Sequence, residues 1–356
     1  MSSFRMFLYA LAVVALAACG GGGVSSSSSA GSSSVSVLPP TASDSDQRDP
    51  NGSSVAFEKA TLWVGYTGPK IVVFSTDGSG AVTPQWSLGS ISWTPIATSI
   101  PAIVDIAIAP DGTQWILENR DFALGGPGWR LFAIARGSKT PEYVNGDDVH
   151  SPFQLGLAGD GVMVGLTSPN GPPIIATYPY AVSNAPATRV FQGTSSMGGF
   201  AEGNDGNLYV GRPDGYDVYR PDSTGCCPIR SVTLGRNPGA FAVGPNNSVY
   251  VMDVTGNNSS AVMYVNVYAP GKATLARRIG PLPAEVGGFA THVIAVDAVN
   301  RLYVATKGQF YRFGPNANGA ATPQRVMTDP ETSRRPVTMA IGSGLTRGGR
   351  HISGGP

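Results

Sequence analysis

The stretch IAVDAVNRLYVA, residues 294 to 305, has a short apolar run, a polar turn and a second run that is β-branched and aromatic. Its turn uses Asp and Asn, residues that tolerate the positive φ of a tight hairpin. The stretch therefore predicts two antiparallel strands. Four further segments have the same form: DIAIAPDGTQWIL (105 to 117), LGLAGDGVMVGL (155 to 166), FAEGNDGNLYVG (200 to 211) and FAVGPNNSVYVM (241 to 252).

The middle of each second strand marks a repeat that runs through the chain. The markers are Trp63, Trp115, Val164, Tyr209, Tyr250 and Tyr303, at spacings of 52, 49, 45, 41 and 53 residues. A third strand follows each marker: residues 70 to 74, 130 to 134, 173 to 178, 216 to 220, 264 to 268 and 310 to 314. A fourth strand follows in turn: residues 84 to 88, 141 to 145, 187 to 192, 229 to 234, 274 to 279 and 323 to 327. Six copies of four strands at this spacing predict an all-β, six-bladed β-propeller.

The repeat is split between the two ends of the body. TLWVG (61 to 65) matches only a second strand, and TMAIG (338 to 342) matches only a first strand. We therefore expect the C-terminal segment to pair with the N-terminal blade as its innermost strand. Closing the ring in this way leaves no long unpaired edge.

The repeat resembles the NHL and SMP-30-like six-bladed propellers, most clearly in residues 294 to 305 and 200 to 211. It lacks the Gly-His and Trp-Asp marks of WD40 blades. The resemblance covers nearly all of the body, residues 55 to 342, and implies the fold more than an activity. Such propellers include lactonases, lyases, dehydrogenases and binding scaffolds.

The N-terminus reads as an export signal. Arg5 precedes an apolar run that is too short to cross a bilayer, so residues 1 to 18 are typical of a signal peptide. Leu16-Ala17-Ala18-Cys19 resembles the lipobox of bacterial lipoproteins, which implies cleavage before Cys19 and lipid attachment to it. An ordinary signal peptide is the alternative. Gly20 after the cysteine favours the outer membrane by the same resemblance, so we expect a protein of the bacterial cell envelope that is held at the membrane by lipid.

Both ends of the chain are poor in large apolar side chains. Residues 19 to 54 are rich in Gly and Ser and predict a flexible tether with a reach on the order of 30 Å. Residues 343 to 356 predict a short disordered tail. The formal net charge is +1 and no basic stripe is present, so nothing indicates a nucleic-acid partner.

The candidate site residues lie in loops that a propeller gathers at the mouth of its channel. They are His150 with Asp147 and Asp148, His292, Glu118 with Asn119, Arg120 and Asp121, and Asp253 with the Asn257-Asn258 loop. A histidine there is a candidate general base or metal ligand. The alternative is a polar loop face that happens to contain two of the three histidines.

The metal signals in the sequence are weak. Resemblance to SMP-30-like lactonases implies a divalent metal held by Glu, Asn and Asp near the inner strands. Here only Asp105 is acidic at such a position, and the equivalent residues are apolar or small: Leu155, Gly199, Ala240 and Ile294. Residues 47 to 58 resemble an EF-hand loop but have Gln47 at the first ligand position. We therefore assign no cofactor and no metal ligand, and we interpret Asp297 as a turn residue.

Cys226 and Cys227 are adjacent, between the third and fourth strands of one blade. If Cys19 carries lipid, the choices for the pair are a vicinal disulfide, two thiols or links to another chain. A vicinal disulfide before Pro228 is the favoured interpretation, on the face away from the mouth.

Two functional hypotheses follow. The first is an envelope binding or scaffold module for a protein, a glycan or another envelope component. The second is a lactonase-like hydrolase or lyase at the channel mouth. The first is preferred because no complete catalytic motif is present, and the sequence does not identify the ligand.

Overall fold

The computed structural model describes residues 60–66, 70–77, 79–88, 102–119, 128–136, 138, 140–168, 170–180, 184–193, 197–235, 240–255, 262–283, 294–306, 308–330 and 336–343. None of these residues belongs to a helix that could cross a membrane. The predicted signal peptide, Cys19, the predicted tether and the EF-hand-like segment lie outside the described residues, as do residues 344 to 356.

The described residues form six sheets of four strands, one of which carries an additional strand. Blade 1 contains β1 (Ala60–Tyr66), β2 (Lys70–Ser75) and β4 (Trp86–Leu88), and blade 2 contains β5 (Ala102–Ile108), β6 (Gln114–Asn119), β7 (Trp129–Ile134) and β8 (Glu142–Asp147). Blade 3 contains β9 (Ser151–Ala158), β10 (Gly161–Thr167), β11 (Ile174–Pro179) and β12 (Arg189–Gln192), and blade 4 contains β13 (Gly199–Glu202), β14 (Leu208–Arg212), β15 (Gly215–Tyr219) and β16 (Arg230–Thr233). Blade 5 contains β17 (Phe241–Val243), β18 (Val249–Thr255), β19 (Val262–Tyr268) and β20 (Leu275–Pro283), and blade 6 contains β21 (Ile294–Val296), β22 (Leu302–Thr306), β23 (Gln309–Phe313) and β24 (Arg325–Thr328). β25 (Pro336–Ser343) is the inner strand of blade 1, and β3 (Gly80–Ala81) joins blade 6. The predicted all-β, six-bladed propeller is confirmed.

The turns between first and second strands repeat the same geometry in four blades. Their fourth residues all have positive φ: Gly112 (87°), Gly206 (72°), Asn247 (59°) and Asn300 (61°). In each turn the amide of this residue donates to the carbonyl three residues earlier. This geometry explains why the turns contain Gly or Asn at that position.

The marker residues form the core between blades. All six are at most 2% exposed. Tyrosine suits this position because its ring is buried while its hydroxyl reaches the turn below. The hydroxyl of Tyr209 donates to Asp205 Oδ2 over 3.1 Å, and that of Tyr303 donates to Asp297 Oδ2 over 3.3 Å.

Ring closure uses the predicted inner strand. β25 pairs antiparallel with β1 from Ala60 opposite Ser343 to Tyr66 opposite Pro336. The two ends of the propeller therefore lie in the same blade. The Tyr66 hydroxyl also donates to Asp329 Oδ1 of blade 6 over 2.8 Å.

A second closure lies at the outer rim and was not predicted. β3 comes from the connection between β2 and β4, and it pairs in parallel with β24, Gly80 opposite Met327 and Ala81 opposite Thr328. Beside it, Arg312 Nη1 donates to the carbonyl of Thr76 over 2.8 Å although Arg312 is only 7% exposed. Blades 1 and 6 are thus joined at both the inner and the outer strands.

Similar outer contacts recur at other junctions. The connection before the fourth strand of one blade bonds to the outer strand of the preceding blade. Asn184 donates to the carbonyl of Val144, Gln192 to that of Thr224, and Gly280 to that of Gly319. These bonds cover part of the edge that each outer strand would otherwise expose.

Candidate functional site at the channel mouth

The sheet order defines two faces of the propeller. The mouth face carries the connections from second to third strands and from each blade to the next, and the opposite face carries the remaining turns. His150 lies between β8 and β9, on the mouth face as predicted. Arg120, Asp121, His292 and the Asn257-Asn258 loop lie outside the described residues.

A ring of polar residues lies three positions after each marker, at or near the mouth end of the second strand. Its members, which we call the strand-end ring, are Tyr66, Glu118, Thr167, Arg212, Asp253 and Thr306. Of this set, only Glu118 and Asp253 are among the site residues predicted from the sequence. The signal was available, because the same offset from the marker gives a residue with a hydroxyl or a charge in every repeat.

The candidate residues of blade 2 lie on both sides of its sheet. Glu118 is opposite Arg130 in the register, and Asn119 is opposite Trp129, which is itself opposite Asp147. Trp129 packs in the core shared with blade 3, whereas Ile116, on the Glu118 side, packs in the core shared with blade 1. Side chains alternate along a strand, so Glu118 points towards blade 1 and Asp147 towards blade 3.

On the blade 3 side, Asp147 and His150 form a hydrogen-bonded pair. His150 Nδ1 lies 2.9 Å from Asp147 Oδ2, and the amides of Val149 and His150 both donate to Asp147 Oδ1. Burial acts to raise the pKa of Asp147, but these hydrogen bonds outweigh it and hold the pKa below its ordinary value. The carboxylate is therefore charged at neutral pH and orients the imidazole, so that Nε2 is the ring nitrogen that remains for a ligand or proton.

Aromatic side chains form the wall beside this pair. The Trp129 and Tyr178 rings lie 5.7 Å apart between centroids, across the junction of blades 2 and 3. Burial, followed by the charge of Asp147, raises the pKa of Tyr178 to about 12. The phenol is thus neutral over the physiological range, and the negative charge here belongs to Asp147.

On the blade 1 side, Glu118 is 3% exposed. Burial raises its pKa to about 8 from an ordinary value of 4.5, although the Arg130 guanidinium acts in the opposite direction. Arg130 is held elsewhere, since it donates to the carbonyl of Trp129 over 2.7 Å and to Asp148 Oδ1 over 3.0 Å. Glu118 is therefore protonated at neutral pH.

Glu118→Gln is expected to raise stability at alkaline pH. The folded state binds the Glu118 proton more tightly than the unfolded state, so the wild-type free energy of unfolding falls as pH rises from 4.5 to about 8. Gln removes this loss, and the variant should exceed wild type above that window by an upper limit of about 5 kcal/mol. Urea denaturation across the pH range measures the difference. The exposed Glu142→Gln is the control, and equal behaviour of the two variants would contradict the expectation.

The side chain of Asp105 forms hydrogen bonds between the inner strands of neighbouring blades. It is 4% exposed. Its Oδ1 accepts the amide of Ile106 over 2.8 Å and the hydroxyl of Thr338, and its Oδ2 accepts the amide of Leu155 over 2.9 Å. The carboxylate thus joins β5 to β25 and to β9.

The other inner-strand positions are structural as well. Leu155, Gly199, Ala240 and Ile294 are all buried. Gln154 makes a reciprocal pair with the backbone of Phe200, as donor at 2.7 Å and as acceptor at 2.8 Å, and so joins blade 3 to blade 4. Asp297 accepts the amides of Val299 and Arg301, which confirms it as a turn residue. Among the described residues, no group of three or more His, Cys, Asp or Glu side chains is arranged to hold a metal.

Cys226 and Cys227 are both exposed in the connection between β15 and β16, on the face opposite the mouth. Cys227 has a positive φ of 59°, and the Ser223 hydroxyl donates to the carbonyl of Cys226 over 3.3 Å. The neighbouring Thr224 carbonyl accepts the amide of Gln192 in blade 3 over 3.0 Å. The vicinal disulfide stays a prediction, which the mass of the peptide with and without reductant decides.

Comparison with known proteins shows no family for this chain. No family model matches the chain, and no curated protein matches it. A protein assigned as an oxidoreductase (glucose dehydrogenase) from Thermus thermophilus is 17% identical, with 64% of this chain and 83% of that one covered and a TM-score of 0.42. A chain of a mitotic checkpoint complex is 14% identical, with 78% and 79% covered and a TM-score of 0.46. A protein assigned as a gluconolactonase is 17% identical, with 57% and 72% covered and a TM-score of 0.37. These values carry no argument about function, and the six-bladed β-propeller is established by the strands themselves.

Proposed function

We propose that this chain is an envelope lipoprotein whose propeller is a binding module for a protein, a glycan or another envelope component. Lipid on Cys19 anchors it to the outer membrane, and residues 19 to 54 separate the propeller from the lipid surface. The ligand binds at the mouth face, where Thr167, Arg212 and Asp253 of the strand-end ring and the Asp147–His150 pair provide polar groups that are not buried.

The state of Asp105 is the observation that favours binding over lactonase chemistry. It is the one inner-strand carboxylate that the sequence offered for a metal of the SMP-30-like type. Its two oxygens accept three hydrogen bonds, from Ile106, Leu155 and Thr338. A hard divalent cation needs several oxygen ligands, and this carboxylate is committed to joining blades.

A pair of site-specific crosslinkers tests the proposal in intact envelopes. Val149 is 58% exposed in the mouth turn between β8 and β9, and Val299 is 39% exposed in a turn of blade 6 on the opposite face. We expect a photoreactive residue at Val149 to form a discrete adduct with an envelope component, and one at Val299 to form none. Adducts from Val299 alone, or from neither position, would contradict the proposal.

The lipid anchor has its own test. Cys19→Ala is expected to move the protein from the membrane fraction to the soluble fraction, because the acyl chains supply the membrane affinity. Mass spectrometry of the wild-type N-terminal peptide should show acylation. Membrane retention of the Cys19→Ala protein would contradict lipid anchoring.

The Asp147–His150 pair favours a second candidate function, a lactonase-like hydrolase or lyase at the mouth. A carboxylate at Nδ1 is the arrangement that lets Nε2 act as a general base. In lactone hydrolysis, His150 would take a proton from water as it attacks the carbonyl, and the ring oxygen would receive that proton on leaving. A lactone panel with wild type and His150→Gln decides this, since turnover that survives the substitution excludes His150 as the base.

A further inference from the structure

Blade 5 contains a polar cluster on the side that faces blade 4, near the mouth end of its strands. Asp253 is opposite Tyr264 in the register, and Asn266 is opposite both Val251 and Arg278. Val251 packs in the core shared with blade 4, which fixes the direction of this face. The cluster consists of Asp253, Tyr264, Asn266 and Arg278.

The charged members of the cluster are paired. Arg278 Nη2 lies 3.4 Å from Asp253 Oδ2, and the Arg278 guanidinium carbon lies 3.7 Å from the centroid of the Tyr264 ring. Asn266 Nδ2 donates to the same Asp253 oxygen over 3.2 Å. Asp253 and Arg278 neutralise each other, so the cluster has no net charge with which to attract an ion.

Two buried hydrogen-bonding atoms of the cluster have no partner among the described residues. They are the acceptor Asn266 Oδ1 and the donor Arg278 Nε. Asn266 is 2% exposed. An acceptor that is buried without a hydrogen-bond partner lowers the stability of the folded state. The Arg278 side chain is 42% exposed, so the cluster borders solvent.

We infer that this cluster is a subsite for a hydroxyl group of a neutral saccharide, which accepts from Arg278 Nε and donates to Asn266 Oδ1. A hydroxyl is the small group that is donor and acceptor at one atom. The balanced charge of the cluster favours a neutral ligand over a phosphate or an amine. The inference rests on the proposed binding function and names a saccharide as the ligand class.

Two arginine-to-lysine substitutions at neighbouring positions of one strand give a matched test. Arg278→Lys keeps the charge but removes Nε, whereas Arg277 points towards blade 6, where it donates to Tyr250 and to the carbonyls of Pro315 and Ala317. The full chain carrying Cys19→Ala is titrated with glucose, galactose and N-acetylglucosamine by ligand-observed NMR. We expect Arg278→Lys to weaken binding about tenfold and Arg277→Lys to leave it unchanged. Equal loss in both variants would overturn the inference.

A second variant and a crystal structure separate a saccharide from a bound water. Asn266→Leu has a similar volume without the acceptor, and its thermal unfolding shows whether the propeller is retained. We expect a retained fold with the same loss of saccharide binding. A water that stays between Arg278 Nε and Asn266 Oδ1 in crystals grown with saccharide would overturn the subsite. No saccharide binding, together with a Val149 adduct in envelopes, would overturn the subsite alone; loss of both would overturn the binding module too.

Discussion

Asp105→Ala is expected to lower the free energy of unfolding by about 4 kcal/mol, because three buried donors lose a carboxylate acceptor and the Ile106 amide keeps only its longer bond to the Thr338 hydroxyl, 3.3 Å. The amides of Ile106 and Leu155 and the hydroxyl of Thr338 all donate to this carboxylate, and they belong to three different inner strands. Removing it breaks two junctions of the ring in one step.

Urea denaturation followed by tryptophan fluorescence measures this loss. Asp111→Ala is the matched control, since Asp111 is exposed in the turn of the same hairpin and, within the described ranges, accepts from the amide and hydroxyl of Thr113 alone. We expect the control to lose about 1 kcal/mol. An Asp105→Ala protein as stable as the control would show that the inter-blade bonds contribute little.

Deletion of residues 336 to 356 is expected to abolish cooperative unfolding. The deletion removes β25, which is the inner-strand partner of β1 along its whole length. It also removes the Thr338 hydroxyl, which donates to Asp105. β1 then has an unpaired edge beside the apolar side chains of Leu62 and Val64, which are fully buried in the intact chain. An edge of this kind promotes aggregation.

The shorter deletion of residues 344 to 356 keeps β25 and is the control. We expect it to unfold at the wild-type urea midpoint, whereas the longer deletion should elute as aggregate on size exclusion. A monomeric longer deletion with an unchanged midpoint would mean that the outer contact between β3 and β24 closes the ring without β25.

The sequence predicted the blades well because each strand has a local signal. The markers recur, the turns carry Gly or Asn at the residue with positive φ, and β25 matches the missing half of the first repeat. β3 had no such signal. It consists of Gly80 and Ala81, and it pairs through its backbone alone with a strand that lies far away in the sequence.

The candidate site was predicted in part, and the reason is again distance in sequence. His150 and Asp147 are three residues apart, so their pairing is a local event. The inter-blade partners of Asp105, Leu155 and Thr338, lie 50 and 233 residues away, so its structural role could not be read from its own repeat. Glu118 was grouped with His150 because both lie next to connections on the mouth face. The alternation of side chains along β6 instead places Glu118 on the other side of the blade.

The pairing of Ala60 with Ser343 also bears on how the chain order relates to the fold. The two ends of the ring are neighbours in one sheet, so a short linker between them would produce a continuous circle of repeats. A new start could then be made in another turn of the same kind, such as those at Gly206 or Asn247, which share one geometry. The propeller is therefore a candidate for circular permutation, in which the chain begins and ends in a different blade while the six blades keep their contacts.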